Sequence, residues 1–559
     1  MKVSEQQRTR EEMAWREVGQ TTIGPAGALI LVGAFLVMIF GAPIHQAVTV
    51  TREARAAGED PNPPVVELVR RARLAFDPVR EQGFGMAALL EVNRRLLSAI
   101  NDHEDVREDT SRLSMAIRPV VQGMATRWLG AGNEQVYLGR EGWLFYRPGM
   151  DSVTGPPFLS ERQLARRAAS GSELVTAPQP DPRKAIVDVH RQLAERGIVL
   201  VVMPTPVKPT IHPERFSGRF RGRGEPVQNA SFGRWVAELE AEGVWVYDPS
   251  RLLAARRTED QYLATDTHWR PEAMEAVAAD LAGLLRERGL VTAGDVEAWM
   301  FDEVEVEHHG DLVPMLDLAG DQRLYPKERV RVRQVVDRSG QFWSPDGEAE
   351  ILLLGDSFSN IYSLEPMGWG EAAGFAEHLS AALGAPLDRM VRNDGGAFAT
   401  REMLGRELGR GRDRLAGKQV VVWQFAAREL AVGDWRLVGL DVGDPPEGSF
   451  VVPDRGERVE VRGVVREVSA VPRPGTVPYR DHVMSVHLVD LPEHGQAVVY
   501  LRSMVDGEWT RAARLRPGEE VSMRLRRWDE VAGSFDAFNR SELDDWELQL
   551  QEPAWGELL

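Results

Sequence analysis

Short apolar runs alternate with helical segments through the middle of the 559-residue chain. The apolar runs predict four strands, and the segments around them predict four helices. The strands are Ile198–Met203, Val244–Tyr247, Ile351–Leu354 and Val420–Trp423, and the helices are 183–196, 231–242, 271–288 and 401–415. Near-continuous apolar strands bounded by helices are typical of parallel strands covered on both faces, so we predict a doubly wound α/β domain over residues 135–440.

The hydrophobic pattern changes to a period of two after about residue 445. Val459 and Val461 alternate with charged residues, and Met484, Val486 and Leu488 alternate with polar ones. Glycine and proline turns separate these runs, which predicts a small antiparallel β domain over residues 445–559, a barrel or sandwich of about five strands. Its aromatic residues suit either a core or a sugar-stacking face, so it is a candidate glycan-binding or interaction module. The tryptophans concerned are Trp509, Trp528, Trp546 and Trp555.

The N-terminal part of the chain carries a long uncharged stretch, with no charged residue from Val18 to Ile44. Residues 23–44 are long enough to cross a bilayer as a helix, and we predict a transmembrane signal anchor there. A buried core helix usually has a polar stripe, and a cleaved signal peptide needs a cleavage site that is not apparent, so both alternatives are weaker. More basic residues precede the span than follow it closely, which predicts a cytoplasmic tail over residues 1–22 and the bulk of the chain outside.

The segment that follows, residues 45–134, is predicted to be a linker and a helical neck. Its first part, residues 51–64, is polar and proline-rich, whereas apolar residues recur at helical spacing within 65–128.

Charge and cysteine content narrow the functional classes. The net charge is −18, which argues against a sequence-independent nucleic-acid binder, because such proteins depend on cationic side chains that contact phosphates. The chain has no cysteine, so thiolate catalysis, disulfides and cysteine-ligated metals are excluded.

The strongest chemical motif is ILLLGDSFSN, over Ile351–Asn360. Four apolar residues form the predicted strand, and Ser357 follows where the chain turns towards a helix, at the sheet edge where open α/β folds bind ligands. Ser357 is therefore a candidate nucleophile. The alternative is an ordinary helix cap, since aspartate and serine are both favoured at that position.

A serine nucleophile needs a base, and LATDTHWRP supplies the best candidate. Asp266 and His268 are two residues apart, so in an extended loop both side chains point to one side. His268 would accept the proton of Ser357, and Asp266 would orient the imidazole. The alternative is that Asp266 caps the following helix and His268 packs locally.

Together these motifs, in this order, resemble the alginate O-acetyltransferase family of AlgJ and AlgX type, whose domains are SGNH-hydrolase-like and acetylate bacterial exopolysaccharides. The resemblance covers roughly residues 135–435 and implies Ser357 as nucleophile, His268 as base and Asp266 as its orienting carboxylate. It also implies a periplasmic catalytic domain held at the inner membrane, and a multispanning membrane O-acyltransferase as acetyl donor. Further matching segments are GREGWLFYRPG (Gly139–Gly149), MPTPVKPTIHP (Met203–Pro213), HGDLVPML (His309–Leu316) and VVWQFAAREL (Val421–Leu430).

Four other residues are weaker site candidates. Asn393, in a glycine-rich loop, and Gly355 are candidates for stabilising an oxyanion, although Asn393 equally suits a turn. Lys208 and Arg428 are candidates for ligand contact or for bracing the site. We predict no cofactor and no metal.

Three functions are compatible with these residues. The first is O-acetyl transfer to hydroxyl groups of a secreted polysaccharide, through an acetyl ester on Ser357. The second is a carbohydrate or lipid esterase, in which water replaces the sugar as acceptor. The third is a non-catalytic polysaccharide-binding scaffold, in which the serine motif is only a helix cap.

Overall fold

The computed structural model describes residues 112–559 and a few isolated positions between 29 and 92. Within 112–559 it leaves out 171–176, 292–298, 445–449, 473, 475–476, 478, 492–494 and 536–537. The chain divides into two compact units, Met1–Val121 and Gln122–Leu559. The predicted tail, most of the predicted span and most of the predicted linker and neck lie outside the described residues. Among the residues that are described, no helix has the length and apolar character needed to cross a membrane.

Between residues 112 and 440, the described residues form nine strands and fourteen α-helices. The strands are β1 (Val136–Leu138), β2 (Leu144–Tyr146), β3 (Val199–Thr205), β4 (Trp245–Val246), β5 (Trp299–His308), β6 (Glu328–Asp337), β7 (Ile351–Gly355), β8 (Asp388–Val391) and β9 (Val420–Ala426). The helices are α1 (Arg112–Met124), α2 (Arg147–Thr154), α3 (Glu161–Ala168), α4 (Pro182–Glu195), α5 (Lys208–Ile211), α6 (Pro213–Phe216), α7 (Phe232–Ala241), α8 (Ser250–Ala255), α9 (Pro271–Glu287), α10 (Leu312–Met315), α11 (Ser357–Asn360), α12 (Phe375–Leu383), α13 (Gly396–Gly409) and α14 (Glu429–Val432).

Five of these strands form one parallel sheet in the order β4-β3-β9-β7-β8. Along β7, Ile351 and Leu353 face one buried cluster, whereas Leu352 and Leu354 face another. Helices α9 and α12 cover the first face, and α4, α7 and α13 cover the second. Because both faces are buried, the strands need apolar residues at every position, and this confirms the predicted α/β sheet.

Two details differ from the sequence prediction. The helix predicted over 401–415 is α13, which begins earlier, at Gly396, directly after Gly395 with φ +71°. It ends at Gly409, two residues before Gly411, another glycine with positive φ. The hairpin of β5 and β6 was not predicted. Most of β5 is exposed, so cross-strand ion pairs such as Glu303 with Arg331 take the place of a hydrophobic face.

The C-terminal part of the chain forms a small β-barrel. Its elements are β10 (Val459–Val468), β11 (His482–Leu491), β12 (Gly495–Val505), β13 (Glu508–Trp509), β14 (Glu520–Arg527), α15 (Ala532–Phe535), β15 (Asn539–Ser541), α16 (Trp546–Gln549) and β16 (Ala554–Leu558). Five strands run in the order β12-β16-β14-β10-β11, and pairing of β11 with β12 closes the ring. The prediction left a barrel and a sandwich open, and the structure has a barrel of five strands.

The sequence predicted an antiparallel β domain, but two of its strand pairs are parallel. β16 pairs parallel to β12, and β15 pairs parallel to β11, because both strands return after long connections rather than tight hairpins. The four tryptophans also do not share one face. Trp528 and Trp555 pack together in a buried cluster, whereas Trp509 and Trp546 are 38% and 42% exposed.

A buried carboxylate joins the barrel to the α/β part. Glu542, between β15 and α16, lies 3.2 Å from Nη2 of Arg406 on α13 and accepts a hydrogen bond from Arg540 Nε at 2.8 Å. The Tyr500 hydroxyl donates to the same carboxylate at 3.0 Å. The side chains of Glu542 and Arg406 are 6% and 3% exposed, so neither charge can be solvated if its partner is removed.

Glu542→Gln should therefore destabilise the protein by about 3 kcal/mol, measured as the free energy of unfolding in denaturant, because it removes the buried negative charge that pairs with both Arg406 and Arg540. Glu460→Gln is the matched control. Glu460 pairs with Arg524 across β10 and β14, but its side chain is 61% exposed, and little change in stability is expected there. Equal effects of the two substitutions would contradict the importance of this buried junction.

Candidate active site

Ser357 begins helix α11 directly after strand β7, at the carboxyl edge of the parallel sheet. Asp356 caps this helix, because its side chain accepts the Phe358 backbone N–H at 2.9 Å. The other oxygen of Asp356 accepts the Ala426 N–H at the end of β9 at 2.6 Å. Asp356 thus supplies the cap that the sequence offered as the alternative role of this motif, and the Ser357 hydroxyl is left available for chemistry.

Gln424, on the adjacent strand β9, fixes the same turn from the side. Its Nε2 donates to Asp356 Oδ1 at 2.8 Å, and its Oε1 accepts the Asp356 backbone N–H at 3.0 Å and the Ser359 hydroxyl at 2.6 Å. A buried glutamine in an otherwise apolar strand was the sequence signal for this residue, and sequence reasoning assigned it no role. Its effect is to hold the serine turn rigidly against the sheet.

Asp266 and His268 lie on a loop that a bridge between Tyr262 and Trp269 closes at its base. His268 Nδ1 lies 2.7 Å from Asp266 Oδ1, and His268 Nε2 lies 2.8 Å from Ser357 Oγ. Asp266 Oδ1 also accepts the His268 backbone N–H at 3.0 Å, which is possible because the two residues are two positions apart. The structure therefore brings together the three side chains singled out in the sequence, all of them buried.

The electrostatics of this chain favour proton transfer from serine to histidine. Burial tends to raise the pKa of Asp266, but the hydrogen bond and charge of His268 and a hydrogen bond from Trp369 outweigh it, and the pKa lies below its usual range. Burial tends to lower the pKa of His268, but the hydrogen bond and charge of Asp266 raise it above the usual value. Asp266 is thus ionised, and neutral His268 is a stronger base than a free histidine.

Glu328, the first residue of β6, holds the loop between Tyr262 and Trp269 in place by hydrogen bonds. Its carboxylate accepts the backbone N–H of Ala264 at 2.9 Å and the backbone N–H of Thr265 at 2.6 Å. Sequence reasoning did not identify Glu328, because the contact joins residues 63 positions apart. The start of β6 therefore fixes the start of the loop that carries Asp266 and His268, which we call the catalytic loop.

Asp311, three residues after β5, holds the loop from the same end of the hairpin, where His308 pairs with Glu328. Its Oδ1 accepts the Thr267 N–H at 2.7 Å, and its own N–H donates to Asp266 Oδ2 at 2.9 Å. The preceding Gly310 has φ +77°, and a Cβ there would lie 2.4 Å from the Thr265 carbonyl oxygen. Only glycine allows this close approach of the two loops. Asp311 had no predicted role, although it lies in the motif HGDLVPML.

Lys208 and Arg428 occupy different positions around the site. Lys208 is buried, and its Nζ donates to the carbonyl oxygens of Leu144 and Ala264 at 2.8 and 3.2 Å, so it braces β2 against the catalytic loop. Burial lowers the pKa of Lys208 to about 8. Arg428 follows β9 and lies over the Tyr146 ring at 5.4 Å, with its side chain 16% exposed. Its contact with a ligand stays a prediction.

Asn393 and Gly355 lie near the serine turn. Asn393 Oδ1 accepts from Asn360 Nδ2 at 3.1 Å, at the end of α11, and its own Nδ2 points to Met367 Sδ at 3.4 Å. Gly355 ends β7, and a Cβ there would lie 2.6 Å from Ser359 Oγ, so glycine is needed for close packing. The oxyanion role of either residue stays a prediction.

His308 and His309 have separate partners. His308 Nδ1 accepts the Gly310 N–H at 3.1 Å, whereas His309 Nδ1 lies 3.1 Å from the Tyr325 carbonyl oxygen.

One cluster of the described residues has the spacing that a metal ion needs, since ligand atoms of Asp266, His268 and Asp311 lie within 4.8 Å of one another. Both ring nitrogens of His268 already have hydrogen-bond partners, Asp266 and Ser357.

Comparisons with known proteins identify the family of this chain. A family model described as an SGNH hydrolase-like domain, acetyltransferase AlgX, matches residues 136–427, slightly more than half of the chain. The probable alginate O-acetylase AlgJ of Pseudomonas aeruginosa is 28% identical over 316 residues, which cover 54% of this chain and 71% of that protein. The AlgJ of Pseudomonas putida is 24% identical over 356 residues, covering 61% and 80%. The solved O-acetyltransferase domain of Pseudomonas putida AlgJ aligns with a TM-score of 0.40 and 23% identity, covering 54% of this chain and 93% of that one.

Trp369→Phe tests whether the partners of Asp266 matter for catalysis. The indole N–H of Trp369 donates to Asp266 Oδ2 at 2.8 Å, and phenylalanine retains most of the ring but not the donor. We expect kcat/KM for cleavage of an activated acetyl ester to fall about tenfold, equivalent to about 1.4 kcal/mol for one lost hydrogen bond to a charged group.

The control is Trp343→Phe, which removes a buried indole donor that bonds Ser380 Oγ at 2.9 Å. Trp343→Phe should lower the free energy of unfolding about as much as Trp369→Phe does and leave kcat/KM unchanged. If both variants lose activity equally, Trp369 has no specific role in orienting Asp266.

Proposed function

Since the chain belongs to the AlgX family of SGNH hydrolase-like acetyltransferases and is an O-acetyltransferase, we propose that it moves acetyl groups onto hydroxyls of a secreted polysaccharide through an ester on Ser357. The family and the enzyme class predicted from the motifs are confirmed. The observation that supports the proposed mechanism is the continuous pair of hydrogen bonds from Asp266 through His268 to Ser357.

The proposed reaction has two half-reactions. In the first, His268 Nε2 accepts the Ser357 proton while Oγ attacks the acetyl carbonyl, and the resulting imidazolium protonates the leaving group of the donor. In the second, a sugar hydroxyl gives its proton to His268 and attacks the acetyl ester, and His268 returns a proton to Ser357 Oγ. Asp266 stays ionised throughout and stabilises the charged ring. Asn393, Gly355 and the backbone N–H of Ser357 are the candidate oxyanion donors, since the Phe358 N–H is bonded to Asp356.

Ser357 is 3% exposed and His268 1% exposed, which restricts water and a sugar hydroxyl alike, so the choice of acceptor is proposed from the relatives. The relatives are named as probable alginate O-acetylases, and we propose a polysaccharide acceptor of that general kind.

We further propose that residues 23–44 anchor the protein in the inner membrane with the catalytic domain in the periplasm. The uncharged stretch of the sequence supports this anchor, and the basic residues before it support the orientation. Acetyl groups would then come from a multispanning membrane O-acyltransferase. An anchor in the same membrane would raise the effective concentration of the two proteins.

Ser357→Ala tests the covalent intermediate. The wild-type protein treated with an activated acetyl ester should gain the mass of one acetyl group on the peptide that contains Ser357, and the variant should gain none. Ser363→Ala, on the same segment but bonded to Glu377, should be acetylated like the wild type. Acetylation of the Ser357→Ala protein at an undiminished rate would contradict the mechanism. Release of acetate with no acetylated oligosaccharide, in the presence of candidate acceptors, would favour the esterase.

The anchor is tested by placing two charges in the uncharged stretch. Leu36→Arg combined with Met38→Arg should move the protein from the membrane fraction to the soluble fraction, because each arginine costs about 3 kcal/mol at the centre of a membrane helix. The control is the conservative pair Leu36→Val and Met38→Leu, which should stay with the membrane. Membrane association of the double-arginine variant, resistant to alkaline carbonate, would contradict the anchor.

A further inference from the structure

Asp311 places a second carboxylate on the same side of the catalytic histidine as Asp266. Its Oδ2 lies 3.8 Å from His268 Nδ1, too far for a hydrogen bond but close enough for a strong charge interaction. The same oxygen is buried and has no hydrogen-bond partner among the described residues, although Oδ1 of the same carboxylate is bonded. A buried carboxylate oxygen without a partner is costly, and it requires a structural explanation.

We propose that Asp311 is a positioning residue for His268, which clamps the Asp266–His268 segment and supplies a second negative charge for the imidazolium that forms in each half-reaction. This inference rests on the proposed function. The clamp consists of the bonds from Asp311 to the Thr267 N–H and to Asp266 Oδ2. The charge is the unpartnered Oδ2 beside the ring.

The surroundings of Asp311 allow this charge to act on His268. On the catalytic loop it faces Asp266 and His268 themselves. Lys208 of α5 interacts with it electrostatically, but the Lys208 ammonium is bonded to two carbonyl oxygens. Tyr146 of β2 also senses its charge. Neither Lys208 nor Tyr146 bonds Oδ2, although the charge of Asp311 raises the pKa of Lys208 as well as that of His268. Arg428, after β9, faces His268 and lowers its pKa, so the charge of Asp311 opposes that of Arg428 at the ring.

Ionisation of Asp311 is coupled to that of the histidine. Burial, and then the neighbouring charge of Asp266, raise the pKa of Asp311 to about 7. The negative charge of Asp311 in turn raises the pKa of His268. As the pH rises through neutrality, Asp311 therefore becomes charged and strengthens the base. Below that range Asp311 is neutral, and His268 has only Asp266 to stabilise its cation.

Asp311→Asn separates the clamp from the charge, because the asparagine oxygen can still accept the Thr267 N–H. We expect the titration midpoint of His268, followed by NMR in full-length protein labelled with 15N-histidine, to move to lower pH by about one unit. The acid limb of the pH–rate profile should move in the same direction. The alkaline plateau of kcat/KM should fall about fivefold, since a weaker base accepts the serine proton less readily.

Two controls identify the cause. His268→Gln assigns the His268 resonances among the eleven histidines. Asp346→Asn, an exposed carboxylate that bonds the Glu348 N–H, should leave the His268 midpoint unchanged. An unshifted His268 midpoint in Asp311→Asn would overturn the proposal, and so would a uniform loss of activity with an unchanged pH profile, which a purely structural role predicts.

Wild-type protein provides a test that needs no variant to fold. If Asp311 ionises beside His268, the His268 resonances should titrate in two steps, whereas a single-step curve would contradict the coupling. Both NMR readouts are independent of acetyl transfer. If Asp311→Asn shifts the His268 midpoint but the wild-type protein transfers no acetyl group, the role of Asp311 is supported and the proposed function is refuted. If the wild-type protein transfers acetyl groups but the midpoint does not shift, only the role of Asp311 is refuted.

Discussion

The hydrogen bond between Asp266 and His268, formed where water has almost no access, is the interaction on which the rest of the site depends. An ionised carboxylate can be buried only if its hydrogen bonds are satisfied, and Asp266 accepts from the ring and backbone of His268, from Trp369 and from Asp311. These bonds leave the imidazole one orientation, in which its other nitrogen meets Ser357. The same contacts that stabilise the buried charge therefore set the direction of the proton transfer that we propose.

The fold assembles this arrangement from two rigid parts. Strands β7 and β9 hold the serine turn through Asp356 and Gln424, and the parallel sheet fixes their carboxyl ends side by side. One end of the hairpin of β5 and β6 holds the histidine loop, with Glu328 at the start of β6 and Asp311 just after β5. A site mounted on two fixed supports needs little reorganisation when charge develops, which is the condition for efficient electrostatic catalysis.

The sequence predicted those features that local pattern determines. The apolar run before Ser357 indicated a buried strand, and the two-residue spacing of Asp266 and His268 indicated a carboxylate that could reach its histidine. It could not show that Glu328, Asp311 and Trp369 converge on the same loop, because these contacts join distant parts of the chain. It likewise missed the parallel pairing of β16 with β12, since strand direction depends on long connections rather than on a period of two.

The most direct test of this account is the downfield region of the proton NMR spectrum of the full chain. A ring proton held between His268 Nδ1 and a buried carboxylate should give a resonance far downfield of the backbone amides. This resonance should disappear in Asp266→Ala and persist in Ser357→Ala, because the serine bonds the other nitrogen. Absence of the resonance across the pH range, or its survival in Asp266→Ala, would contradict the central role given to this hydrogen bond.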